Sequence, residues 1–142
     1  MSEFSFWDNL KQKLHMKKRK EVDKETYEIP KDKNLLIAVR NLKKHFLVAG
    51  GGIVFNRTPI FLKAVDGISF DIKKGETVGI VGESGCGKST AARALLQLLE
   101  PTAGHVFFKK ESGEIVDLVN ANKTELREIR RQMQIVFQDP SA

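Results

Sequence analysis

Gly82-Glu83-Ser84-Gly85-Cys86-Gly87-Lys88-Ser89-Thr90 fits the phosphate-loop pattern G-x-x-x-x-G-K-[ST] in full, with a second hydroxyl at Thr90. The surroundings agree. Residues 77–81 are a short apolar run of strand type, and residues 91–99 are strong helix formers. Strand, glycine-rich loop and helix are the three parts such a site requires. Glycines without Cβ atoms let the chain curl and turn successive amides toward one anion, and the helix adds the positive end of its dipole. In that arrangement Lys88 reaches the β- and γ-phosphates, and the Ser89 hydroxyl completes a Mg²⁺ shell. A match by chance occurs in about 1 chain in 200 of this length. The stretch therefore predicts binding of a nucleoside triphosphate with Mg²⁺, and an α/β fold.

The rest of the chain is compatible with that reading. Its 142 residues make one ordinary domain, and 41% apolar with 30% charged residues is a globular balance. The net charge of +6 is concentrated between Lys11 and Lys20, which holds six basic residues and no acid. Basicity confined to one segment is weak support for a nucleic-acid surface, and no nucleic-acid partner is expected. Cys86 is the only cysteine, so no internal disulfide can form. No apolar run approaches the 18 or so residues of a membrane span, and the N-terminus lacks a secretion-signal layout. The expected location is the cytoplasmic side.

Residues 1–33 read as an extension ahead of a domain at 34–142. Phe4, Trp7, Leu10 and Leu14 recur at the spacing of one helical face among lysines, the pattern of a basic amphipathic helix. Such a helix packs loosely on its own domain or stays solvated, with an anionic membrane surface as the alternative, and residues 21–32 read as a linker. Residues 35–46 form the first strand candidate, broken at Gly50-Gly51-Gly52, which reads as a hairpin tip. Alternation returns at Ile68, Phe70 and Ile72 and ends in a Lys74-Gly75 turn before the 77–81 strand. The helix after the loop is predicted to run to Glu100 and stop at Pro101. Residues 106–108 and 115–118 are predicted to pair as a hairpin through Ser112-Gly113. Asn122 with Glu125 three residues later predicts a helix start, and the helix is expected over 123–132. Residues 134–137 complete the predicted strands. Arg127, Arg130 and Arg131 read as a solvated helix face, and the three histidines as no metal site.

Several phrases together resemble one family, the ATP-binding subunits of ABC transporters in their oligopeptide/dipeptide (peptide/nickel) permease branch. They are residues 39–46 (VRNLKKHF), 63–72 (KAVDGISFDI), 75–90, 101–104 and 133–142 (MQIVFQDPSA). The resemblance covers about residues 35–142. It implies an ABC-type P-loop NTPase with an antiparallel β-subdomain on a mixed α/β core, interrupted after the Q-loop. It places the adenine-stacking aromatic on Phe46, with His45 as the neighbouring candidate and a plain core role for Phe46 as the alternative. It places the Q-loop glutamine, which touches Mg²⁺ or the attacking water, on Gln138. Cys86 is not expected to be catalytic, because phosphoryl transfer to water needs no thiol.

The resemblance further implies ATP and Mg²⁺ as ligands, transmembrane permease subunits and a second ATP-binding subunit as partners, and indirect dependence on a solute-binding protein. The setting is the cytoplasmic face of the membrane, and the work is import of oligopeptides or dipeptides. The family's signature motif, Walker B Asp-Glu pair and switch histidine have no counterpart in these 142 residues. The polypeptide alone is therefore expected to be inactive in hydrolysis. A nucleotide-dependent binding module without hydrolysis is the alternative.

Overall fold

The computed structural model describes residues 32–49 and 60–136. The amphipathic segment ahead of them, the Gly50-Gly51-Gly52 tip and the residues from Phe137 onward, Gln138 included, lie outside the described residues. Four antiparallel strands form one sheet: β1 (Leu35–Ala49), β2 (Ile60–Lys73), β3 (Ala103–Lys109) and β4 (Ile115–Asp117), in the order β2-β1-β3-β4. Among the described residues there are two short helices, α1 (Lys88–Leu95) between β2 and β3 and α2 (Lys123–Ile129) after β4.

β1 is central, pairing with β2 along its whole length and with β3 from Ile37 to Lys43. Covered on both faces, it buries Ile37, Ala38 and Val39 in succession, the continuous apolar run expected of an interior strand. Leu42, Val39, Val106, Leu118 and Ile129 are the largest fully buried side chains. Ala94 of α1 and Ile129 of α2 join the same cluster, so both helices are anchored on the sheet.

A bulge interrupts β1 at Asn41, whose φ is 46°, and shifts the register toward both neighbouring strands. Asn41 N–H donates to the Ser69 hydroxyl at 2.8 Å. The crowding there requires glycine opposite: a Cβ on Gly104 (φ 91°) would lie 2.3 Å from the Asn41 carbonyl oxygen. The bulge redirects the second half of β1, which carries His45 and Phe46, relative to its buried first half.

The predicted β3–β4 hairpin is present, and so is the predicted cap of α2. Asn122 accepts from the Thr124 and Glu125 amides, and the Glu125 carboxylate accepts from the Asn122 amide, a complete capping box. Three expectations need correction. α1 ends at Leu95 instead of Glu100, because Gln97 adopts φ 54° and closes the helix. Leu98 N–H donates to the Arg93 carbonyl and Gln97 N–H to the Ala94 carbonyl, a Schellman ending with glutamine where glycine is usual. α2 is likewise shorter than 123–132, passing into a turn at Arg130. Third, residues 77–81 and 134–136 belong to no strand among the described residues. Val81 is 92% exposed, and residues 77–81 have no neighbouring strand to pair with among the described residues.

Candidate functional site

The glycine-rich loop lies between residues 77–81 and α1. Gly85 (φ 78°) and Gly87 (φ 102°) take left-handed conformations, and these turn the chain back on itself within a few residues. Gly87 also passes close under β2. A Cβ there would stand 2.1 Å from the Ala64 carbonyl oxygen, so no other residue fits without moving one of the two backbones.

α1 starts at Lys88 with Gly87 as its N-cap, no side-chain cap and no acidic residue in its first turn. Its leading amides therefore face outward with the positive end of the dipole and no built-in anion. Ser89 is exposed and Thr90 half-buried in that first turn. The Lys88 ammonium folds back over the loop, donating to the Gly82 carbonyl at 2.8 Å and the Glu83 carbonyl at 2.7 Å. The Cys86 sulfur lies 3.7 Å from the same ammonium. Gly82, Glu83, Cys86 and Lys88 are thus gathered around one point, with Ser89 and Thr90 at its edge. A helix N-terminus without a side-chain cap and one ammonium beside it suit a multiply charged oxyanion.

A cleft of about 650 Å³ opens beside the loop. Ile68, Phe70, Val78, Ile80, Val81 and Ala91 supply most of its wall, with Lys88, Lys63 and Asp66 as the charged groups. Its apolar character suits the packing of an apolar or aromatic group.

The two aromatic candidates in β1 differ in their surroundings. His45 is tied at its edge: Nε2 is 2.8 Å from Asp66 Oδ1, and its amide donates to the Thr102 hydroxyl at 2.9 Å. Phe46 is half-buried opposite Leu62, and its ring carries the Lys44 ammonium 5.1 Å from the centroid. Phe46 does not line the cleft beside the loop. Gln138 lies outside the described residues, so its proximity to the loop is not on view.

Sequence reading missed the charged cluster at the cleft mouth. Asp66 accepts from the Lys63 ammonium at 3.0 Å and pairs with His45. The hydrogen bond from Lys63, then that from His45, holds the Asp66 carboxyl below the ordinary carboxylate range. The Lys63-x-x-Asp66 spacing was a legible hint, but the His45 contact crosses two strands and depends on a shifted register. Of the arginines, Arg130 donates to the Gln97 carbonyl at 3.0 Å and so braces the end of α1, whereas Arg127 is exposed. Among the described residues no group of three His, Cys, Asp or Glu side chains is placed to hold a metal, and no helix is long and apolar enough to cross a membrane.

Residues 65–142 match the sequence family described as ABC transporter. The chain is 47% identical over 108 residues to the oligopeptide transport ATP-binding protein AppF of Bacillus subtilis (strain 168), covering 75% of this chain and 31% of that protein. It is 40% identical over 114 residues to the oligopeptide transport ATP-binding protein OppF of Escherichia coli (strain K12), covering 80% and 33%. The chain thus spans about a third of the length of the curated relatives it matches. Its fold is similar to the ATP-binding cassette MJ0796, solved as a dimer in a post-hydrolysis state bound to ADP and Pi. The TM-score is 0.53 at 27% identity, over 68% of this chain and 35% of that one.

Proposed function

The chain belongs to the ABC transporter family, in its ATP-binding cassette, and on that premise we propose that it is the nucleotide-gripping part of an ATP-binding subunit that energises import of oligopeptides or dipeptides. The observation that carries this is the loop itself. Lys88 is already bonded to the Gly82 and Glu83 carbonyls over a helix N-terminus that nothing caps.

ATP binding exchanges those two neutral acceptors for phosphate oxygens, a charge-assisted and stronger pairing. The amides of residues 82–90 then surround the β-phosphate, and Lys88 bridges to the γ-phosphate. Ser89 and Gln138 are the residues that would hold Mg²⁺, which would supply charge neutralisation for the phosphates. Phe46 offers its face to the adenine, a platform type worth about 1–3 kcal/mol per base elsewhere. It is favoured over His45 because the latter's ring is committed to Asp66. Closure over the γ-phosphate is communicated through the Gln138 loop to permease subunits at the cytoplasmic face of the membrane, with a second ATP-binding subunit completing the site. A solute-binding protein enters only through the permease. The relatives' names support the peptide cargo.

Hydrolysis needs a carboxylate to orient the attacking water, and no apolar strand ending in Asp-Glu follows Lys88 in this sequence. The 142-residue polypeptide is therefore expected to bind MgATP with negligible turnover. Titration calorimetry tests the core of the proposal. Lys88→Ala is expected to abolish the heat of MgATP uptake, while Arg127→Ala leaves it unchanged. Equal binding by the wild type and Lys88→Ala would refute the assignment.

A further inference from the structure

The aromatic platform has a second component that the motif does not contain. Lys44 and Phe46 are two residues apart in β1, and the Lys44 ammonium sits over the Phe46 ring at 5.1 Å. The same ammonium donates to the Glu100 carbonyl at 2.7 Å. Glu100 lies in the segment that leaves α1, and the neighbouring residues reinforce the tie. Thr102 N–H donates to the Lys43 carbonyl at 2.7 Å, and His45 N–H to the Thr102 hydroxyl at 2.9 Å. Residues 43–45 of the platform strand are therefore fastened to residues 100–102, just beyond the helix that starts at the phosphate loop.

Resting on the nucleotide reading above, we infer that Lys44 is a positioning residue for the base. Its ammonium covers one face of Phe46, pins the ring to the exit of α1 and leaves the opposite face as the platform. Two features favour this over a lysine that swings aside. Its acceptor is a main-chain carbonyl, fixed by the backbone and indifferent to the Glu100 side chain. An ammonium with one good acceptor and one aromatic face also has its charge met from two sides. The consequence is a rigid spacer. The base platform and the phosphate loop sit at the two ends of one path through α1, and Lys44 closes that path. Its effect should then appear only with ligands that carry a base.

The test uses the full-length protein and two probes, MgATP and inorganic tripolyphosphate with Mg²⁺, measured by calorimetry alongside thermal melts. Lys44→Met is expected to weaken ATP binding about two- to fivefold, the range of an exposed cation–π contact, and to leave tripolyphosphate binding unchanged. Lys44→Arg, which keeps charge and aromatic contact, is expected to retain the ATP affinity. In a Phe46→Leu background, Lys44→Met should have no further effect, because the ring it positions is gone. Equal loss for both probes in Lys44→Met would overturn the inference, assigning the lysine to the phosphates or to the fold. No loss for either probe, or the same loss with and without Phe46, overturns it too. If the wild type binds neither probe, the nucleotide reading fails and takes this inference with it. If it binds both with no advantage for ATP, the loop stands and only the platform and its lysine are refuted.

Discussion

Lys88 holds two carbonyls that a phosphate would displace on the proposed reading, and Cys86 sits 3.7 Å from the same ammonium. Cys86 is exposed, so a small alkylating reagent reaches it in the free protein. A triphosphate in the loop would cover it. Iodoacetamide labelling of Cys86, followed by mass spectrometry, is expected to slow markedly with saturating MgATP in the wild type and not in Lys88→Ala. An unchanged labelling rate in the wild type would mean that the triphosphate sits elsewhere. Asp66 gives a second expectation at this scale. Its folded pKa is depressed, chiefly by Lys63 and then by His45. Its contribution to stability is therefore complete above the ordinary carboxylate pKa and is lost as pH falls through the lower folded value. Lys63→Met should raise the Asp66 carboxyl pKa seen by NMR titration, and His45→Asn should raise it by less. No movement in either variant would place the cause outside this cluster.

At the scale of elements, what was legible followed from chemistry confined to a few neighbouring residues. The α2 cap needs only Asn122 and Glu125, and the β3–β4 turn needs only Ser112-Gly113, so both could be read in advance. The phosphate loop likewise carries its own turn residues. What was not legible depended on partners distant in sequence. The end of α1 is set by a left-handed glutamine whose carbonyl is held by Arg130, 33 residues on, and Gln97 alone gives no such signal. The β1 bulge places Asn41 against Gly104 and Ser69, contacts that appear only once three strands are aligned. These differences set the cost of substitution. Asn122→Ala removes a cap whose loss typically costs about 1 kcal/mol. Gly104→Ala forces an L-residue into a positive-φ position, costing about 1–2 kcal/mol, and adds a clash with the Asn41 carbonyl that the interior of β1 cannot relieve. Urea denaturation should therefore rank Gly104→Ala as the more damaging of the two. A Gly104→Ala midpoint equal to the wild type would show that the bulge yields.

Across the whole molecule, stability and ligand binding are carried by different parts. The buried cluster joins β1, β3, the residues after β4 and the two helices, with Val39, Leu42, Val106, Leu118 and Ile129 at its centre. The phosphate loop is suspended from residues 77–81, whose apolar side chains Val78, Ile80 and Val81 are exposed. That sequence reads as a strand because its composition is apolar and of strand type. Its apolar residues were legible, but the burial they anticipate depends on neighbouring strands that the four-stranded sheet does not supply. Among the described residues no strand pairs with residues 77–81, so their amides are expected to be open to water, whereas Ile37, Ala38 and Val39 are bonded on both sides. Hydrogen exchange of the 142-residue polypeptide should therefore show residues 77–81 exchanging near the rate of unstructured chain while residues 37–39 are protected to the level of global unfolding. If MgATP is gripped by residues 82–90 as proposed, it should slow exchange in the loop amides far more than in residues 77–79. A longer form carrying the flanking strands that the family resemblance implies should protect residues 77–81 without any nucleotide. If instead those amides are already protected in the 142-residue chain, the segment has found a partner strand. Self-association through the exposed Val78, Ile80 and Val81 edge is then the first thing to measure, by sedimentation across a concentration series.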